Sequence, residues 1–192
     1  RKLDAMSRTH AHQGVIAQAA AHAYAELDDL FRNAEQKGEP PLFVICDGIA
    51  DPHNLGAIIR SAETAGAHGV IIPKRRAAGL TAVAARASAG ALAYMPVHKA
   101  VNLAALIDTL KERGVWVFGA EADGNVGLYE ADFAGPTAIV IGSEGEGISR
   151  LIREKCDFIV SIPMRGKVNS LNASNAAAVL LFEAVRRRTR GK

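Results

Sequence analysis

Strand-like apolar runs alternate with helical stretches along most of this chain, and that alternation limits what it can fold into. The runs fall at residues 42–46, 70–72, 115–118, 138–141 and 158–162. Between them, apolar spacing predicts helices over about 54–65, 81–87, 103–113 and 148–154, with a longer one over 171–188. Continuous apolar strands separated by helices argue for an α/β fold, a mostly parallel sheet with helices on both faces. One more helix is expected over 20–37, where Leu27, Leu30 and Phe31 recur at helical spacing before Gly38 and Pro40-Pro41 end it.

With 192 residues, 49% of them hydrophobic, the chain can bury a core as one domain. No apolar run approaches the roughly 20 residues needed to cross a bilayer, and the reading is of a cytoplasmic protein without a membrane partner. Cys46 and Cys156 form no CxxC pair, and no histidine stands at ligand spacing, so neither a disulfide framework nor a metal site is indicated. Residues 1–18 read as a linker or docking arm, with 19–192 as the domain proper. The chain starts at Arg1 without Met, as a fragment with another domain upstream would. The net charge is only +3, but cations cluster at Lys74-Arg75-Arg76 and over 186–192. Both clusters could meet phosphates, and the second could equally complement a helix C-terminus.

Three segments carry the candidate chemistry, and each follows a strand, where ligands of open α/β sheets sit. In the first, residues 47–60, Asn54 either caps the following helix or serves a site, and Gly56 leaves space over which Arg60 can lean. The Arg60 guanidinium would then face a phosphate or a developing oxyanion, or else pair with Glu63. The second, Gly142-Ser143-Glu144-Gly145-Glu146-Gly147, lacks the order of a dinucleotide fingerprint and the GK[ST] of a P-loop. It can let backbone approach a ligand, with Glu144 as acceptor, or act as a plain connector. The third runs from Ile162-Pro163-Met164 through Ser170-Leu171-Asn172 into the last helix, a polar, backbone-rich loop suited to holding a polar ligand without charge.

In this order the segments resemble the signature motifs of the SpoU (TrmH-type) RNA ribose 2'-O-methyltransferases of the SPOUT superfamily. Motif one matches Asn54-x-Gly56 with Arg60, motif two Gly142-x-Glu144 with Gly147, and motif three Ile162-Pro163-Met164 with Ser170-Leu171-Asn172. The His12-Gln13-Gly14-Val15 arm and residues 142–147 most resemble the bacterial members that methylate a guanosine ribose in large-subunit (23S) ribosomal RNA. The resemblance implies S-adenosyl-L-methionine as methyl donor, a C-terminal trefoil knot, and a homodimer that completes the RNA site.

It further implies that Gly142, Ile162, Leu171 and Met164 hold the donor, with Gly119-Ala120-Glu121 closing over it. Arg60, Asn54, Glu144, Ser170 and Asn172 form the implied catalytic set. A guanidinium stays protonated at neutral pH and makes a poor general base, so Arg60 is read as steadying the emerging alkoxide. Ser170 and Asn172 would orient Arg60 and the ribose, while Asn54 and Glu144 brace the site. The rival substrate is transfer RNA, approached through the basic 186–192 tail. A non-catalytic RNA-binding assembly protein would show broken motifs, whereas all three are intact.

Overall fold

Every strand pairing in the sheet is parallel, as continuous apolar strands require. The computed structural model describes residues 22–190, so the expected arm at 1–18 lies outside them. In chain order the elements are α1 (Leu27–Lys37), β1 (Leu42–Asp47), α2 (Pro52–Thr64), β2 (Gly69–Pro73), α3 (Ala82–Ala87), β3 (Val97–Ala100) and α4 (Leu103–Glu112). There follow β4 (Trp116–Ala120), β5 (Val126–Gly127), β6 (Thr137–Gly142), α5 (Arg150–Lys155), β7 (Phe158–Ser161) and α6 (Ala173–Arg190). The spatial order is β3-β2-β1-β6-β4-β7-β5. Late strands are thus inserted among early ones, with β6 between β1 and β4, and β7 between β4 and β5.

Alternate residues of β1 feed two cores. Val44 and Cys46 pack with Leu55, Ile58 and Ile59 of α2 and with Leu180 and Leu181 of α6. Phe43 and Ile45 pack on the other face with Leu30 of α1, Ile107 of α4 and Ile152 of α5. Gly56 joins α2 closely to α3: a Cβ there would lie 2.5 Å from the Ala84 carbonyl oxygen and from Ala87 Cβ. Its missing side chain therefore serves helix packing, and does not make room for Arg60 as expected.

Other local readings are corrected as well. The first helix begins at Leu27, because Ala25 N–H donates to the Val97 carbonyl at 2.8 Å and holds the preceding chain extended against β3. Asn54 does not cap α2. Asp51 does, its carboxylate accepting from His53 N–H at 2.9 Å, which leaves the Asn54 side chain to bond elsewhere. The basic C-terminal stretch is largely engaged by the fold. Arg186 and Arg187 pair with the buried Glu183 carboxylate at 2.6 and 3.0 Å, and Arg186 holds that carboxyl below the usual range. Arg188 donates to four carbonyls, of Pro40, Pro41, Phe133 and Gly135, at 2.6–3.0 Å.

Hydrogen bonds to a charged donor are worth roughly 1.5–3 kcal/mol each, and they share one side chain here. Arg188→Met should therefore lower stability by about 3 kcal/mol, seen as a reduced unfolding midpoint, with no loss of RNA affinity at matched temperature. His68 is fully buried at the start of β2: its Nδ1 accepts from Leu42 N–H at 3.0 Å, and Nε2 faces Glu39 Oε2 at 3.3 Å in poor hydrogen-bond alignment. Burial, aided by the charge of Lys37, pushes its pKa down to about 4. The unfolded chain, with a histidine pKa near 6.5, takes up the proton first. Stability should thus be lost as pH falls from about 6.5 toward about 4. Thermal melts across that range should show the decline, and His68→Asn should flatten it.

Candidate active site

The carboxyl ends of β6, β4 and β7 border a cleft of about 400 Å³, inside the range typical of small-molecule sites. Its apolar wall includes Ala120, Ile141, Val160, Ile162, Leu171 and Ala176. Gly142, at the end of β6, turns the chain so tightly that a Cβ would lie 2.1 Å from the Gly147 carbonyl carbon. Ser143 and Gly147 close this turn with reciprocal backbone hydrogen bonds of 3.0 and 2.9 Å, and Gly147 takes the left-handed φ of +69°. Among the described residues no backbone–backbone hydrogen bond ties residues 163–171, so the N–H and C=O groups of this loop remain available to a ligand.

Three distant segments meet at the mouth of the cleft. The Asn54 side-chain amide donates to Glu144 Oε1 at 3.1 Å, and the Asn172 amide donates to Asn54 Oδ1 at 3.0 Å and also to Glu144 Oε1. The other end of Asn172 caps α6, its Oδ1 accepting from Ser174 N–H at 2.9 Å and from the Ser174 hydroxyl at 2.6 Å. Asp47, at the end of β1, accepts from Ser149 N–H at 2.7 Å and clamps the second segment to the first.

Of the sequence-derived site residues, Ala120, Glu121, Gly142, Glu144, Ile162 and Met164 line the cleft, as do Ser170 and Leu171. Asn54 and Asn172 stand at its mouth through the Glu144 cluster. Gly119 does not line it: a Cβ there would meet Cys156 Sγ at 2.9 Å, so this glycine serves packing beneath the floor. Glu121 does line it, but its carboxylate accepts from Ile148 N–H at 2.8 Å and pairs with Arg153, fixing the wall instead of closing over it. Arg60 is exposed on α2 and lies outside the lining. Six residues from Asn54 place it about 120° around the helix from that side chain. The Asn172 side chain, committed to Asn54, Glu144 and its cap, does not orient Arg60.

Sequence reasoning missed Arg153. From α5 it bridges Glu121 and Asp123, at 3.0 Å from the latter, holding the Asp123 carboxyl below its usual range while its own pKa rises. No local pattern marks it, since its partners lie 30 and 32 residues away. Among the described residues no cluster of three or more His, Cys, Asp or Glu is placed to hold a metal ion, and no helix is long and apolar enough to cross a membrane.

The arrangement is that of a parallel α/β protein whose small-molecule cleft is built from three loops at the carboxyl edge of its sheet. Residues 41–182 match the SpoU rRNA Methylase family, and the chain belongs to that family. It is 54% identical over 188 residues to YacO of Bacillus subtilis (strain 168), assigned to the TrmH family of tRNA/rRNA methyltransferases, covering 98% of this chain and 75% of YacO. It is 46% identical over 187 residues to slr0955 of Synechocystis sp. (strain PCC 6803), named as an uncharacterized tRNA/rRNA methyltransferase, covering 97% of this chain but only 49% of that protein. The crystal structure of the SpoU methyltransferase AviRb from Streptomyces viridochromogenes in complex with AdoMet aligns with TM-score 0.79 at 36% identity, covering 88% of this chain and 67% of AviRb.

Gly142→Ala should force the 142–148 turn open, because the atoms it would strike are backbone. Overpacking of this kind costs about 1–3 kcal/mol, so the variant should melt earlier and show faster amide exchange confined to this turn and the cleft wall.

Proposed function

We propose that this chain transfers a methyl group from S-adenosyl-L-methionine to the ribose 2'-hydroxyl of a guanosine in large-subunit (23S) ribosomal RNA. The observation that carries the reading is the convergence of the three segments, through Asn54, Glu144 and Asn172, at the mouth of an apolar cleft. The cleft suits the donor. Its wall is apolar and small enough to admit an adenine ring, Gly142 removes a side chain where backbone must turn, and the 163–171 backbone offers unpaired polar groups. AdoMet bound to AviRb supports the same assignment.

In this reading Gly142, Ile162, Met164, Leu171 and Ala120 hold the donor, and the Glu121–Arg153 pair stiffens the wall behind it. The donor supplies an electrophilic sulfonium methyl. Asn54, Glu144 and Asn172 brace the three loops, so that Ser170 on the rim can position the ribose. Arg60 reaches from α2 toward the RNA, where its fixed charge steadies the 2'-oxygen as its proton passes to solvent water and the oxygen–methyl bond forms while the sulfur–methyl bond breaks. Insertion of β7 between β4 and β5, with α6 returning onto α2, supports the C-terminal trefoil knot. The exposed Val179 and Phe182 on α6 support a homodimer, and the reaction belongs in the cytoplasm with its RNA.

Transfer RNA is the competing substrate, and similarity to the A. aeolicus TrmH/SpoU tRNA modifying enzyme, 28% identical with TM-score 0.72, keeps it in view. Against it, three cations of the basic tail that reading relies on, Arg186, Arg187 and Arg188, are engaged internally.

Nucleoside mass spectrometry after incubation with donor and unmodified RNA tests the proposal: 2'-O-methylguanosine should form in ribosomal RNA, and its formation only in transfer RNA would replace the substrate. Arg60→Ala should lose about 10²-fold or more in turnover while keeping donor affinity; wild-type turnover would remove Arg60 from the chemistry. Leu171 is 39% exposed, so Leu171→Arg should fold normally, and calorimetry should find no donor binding.

A further inference from the structure

Most cations among the described residues fall into two populations. One is neutralised: Lys111 pairs with Asp157, Arg113 with Asp28, Arg150 with Glu154, Arg153 with Glu121 and Lys155 with Asp108. The other has no side-chain ion pair, hydrogen bond or aromatic contact among the described residues. It comprises Lys74, Arg75 and Arg76 in the loop after β2, Arg165 and Lys167 in the loop after β7, and single cations on three helices, Lys37, Arg60 and Arg86.

The two unpaired loops follow carboxyl ends of strands and so share the edge of the sheet that bears the cleft. The first is held at both ends. Lys74 N–H donates to the Ala100 carbonyl at 2.7 Å, and Ala78 N–H donates to the Ile49 carbonyl, in the turn leading to Asn54, at 2.8 Å. Between these anchors Arg76 adopts a left-handed φ of +58°, a conformation unfavourable for a residue with a side chain. Lys74, Arg75 and Arg76 are all exposed. The second loop forms the cleft rim through Met164 and Asn169, with Arg165 and Lys167 exposed between them.

In the order β2-β1-β6-β4-β7, four strand spacings separate the loops, about 19 Å at about 4.8 Å per strand. A span of this length covers several successive phosphates of one nucleic-acid strand. The Asn54–Glu144–Asn172 cluster lies between them, attached to β1 and β6.

Building on the methyl-transfer reading, we propose that Lys74-Arg75-Arg76 and Arg165/Lys167 form a two-sided phosphate clamp that lays one RNA strand across the carboxyl edge, over the cleft mouth. The clamp holds backbone and carries no base readout, so it orients the RNA without choosing the nucleotide. Its signature is the salt dependence of binding.

The test is a filter-binding series at several salt concentrations with unmodified large-subunit ribosomal RNA transcript, on the full chain. The variants are Lys74→Gln/Arg75→Gln/Arg76→Gln, Arg165→Gln/Lys167→Gln and, as control, the paired Arg150→Gln. Every cation withdrawn from a phosphate lowers the slope of log K against log salt by about 0.7–0.9. The triple variant should therefore lose about 2–3 from the slope and the double about 1.4–1.8, with the control unchanged. Calorimetry should find donor affinity unaltered in the triple variant. Wild-type slope in the triple and double variants, or an equal loss in Arg150→Gln, would overturn the clamp; if the wild type still methylates the RNA, the methyl-transfer reading stands. Absence of donor-dependent methylation of ribosomal and transfer RNA by the wild type, together with no RNA binding, would overturn both.

Discussion

The shared oxygen of Glu144 is the point on which the functional end of the molecule depends. Two amides, from Asn54 and Asn172, converge on Oε1, and these residues come from segments separated by 90, 118 and 28 positions. Each segment leaves a different strand or enters a different helix. A single carboxylate thus contacts both the β1–α2 segment and the start of α6 from the β6 turn. Removing it would withdraw the acceptor that both amides share, leaving only the bond from the Asn172 amide to Asn54 Oδ1 between these segments. The same cluster couples cleft shape to the stability of α6, because Asn172 caps that helix with its other end.

Gly142 does for the backbone what Glu144 does for the side chains. Contact between the Gly142 and Gly147 backbones allows a six-residue excursion to leave β6 and return without blocking the cleft. Behind the turn, Glu121 receives Ile148 N–H and engages Arg153, while Asp47 receives Ser149 N–H. The loop is therefore tied from both neighbouring strands, β1 and β4. A glycine-rich sequence becomes rigid here through its anchors.

Much of the scaffold was legible from pattern. Strands buried on both faces read as continuous apolar runs, and β1, β2, β4, β6 and β7 fall within a residue or two of the expected bounds. Strand β3 escaped notice because an edge strand can carry His98 and Lys99 in its middle, half-buried, and β5 because two residues make no pattern. Gly56 was singled out for a reason the fold revises, and of the two readings of Asn54 the cap is the one that falls away. Asp51 took the cap, and the space above Gly56 is filled by α3. The three segments and several of their polar residues stood out by their turn and cap chemistry, but their meeting did not, since nothing in their spacing says that Glu144 meets residues 90 positions before it and 28 after. Arg153 was invisible for the same reason: ion-pair partners across loops are chosen by the fold.

The net charge of +3 conceals a division of labour. A cleft for a zwitterionic or cationic donor gains little from cationic walls, and the lining here is apolar residues, glycine, the polar side chains of Ser143, Asn169 and Ser170, and acids already held by Arg153 or by amides. Phosphates, by contrast, need cations that are not already compensated. Had Lys74, Arg75 and Arg76 been paired as Lys155 and Arg113 are, the surface beside the cleft would attract RNA no better than the opposite edge. The carboxylate at the cleft mouth belongs to the same logic. Glu144 would repel an approaching phosphate, and the two amide donors draw off part of that charge without adding a cation that would compete for the strand. Under the proposed function, binding the donor through backbone and apolar contact, and the RNA through unpaired charge on flanking loops, would let salt weaken one interaction while leaving the other nearly untouched.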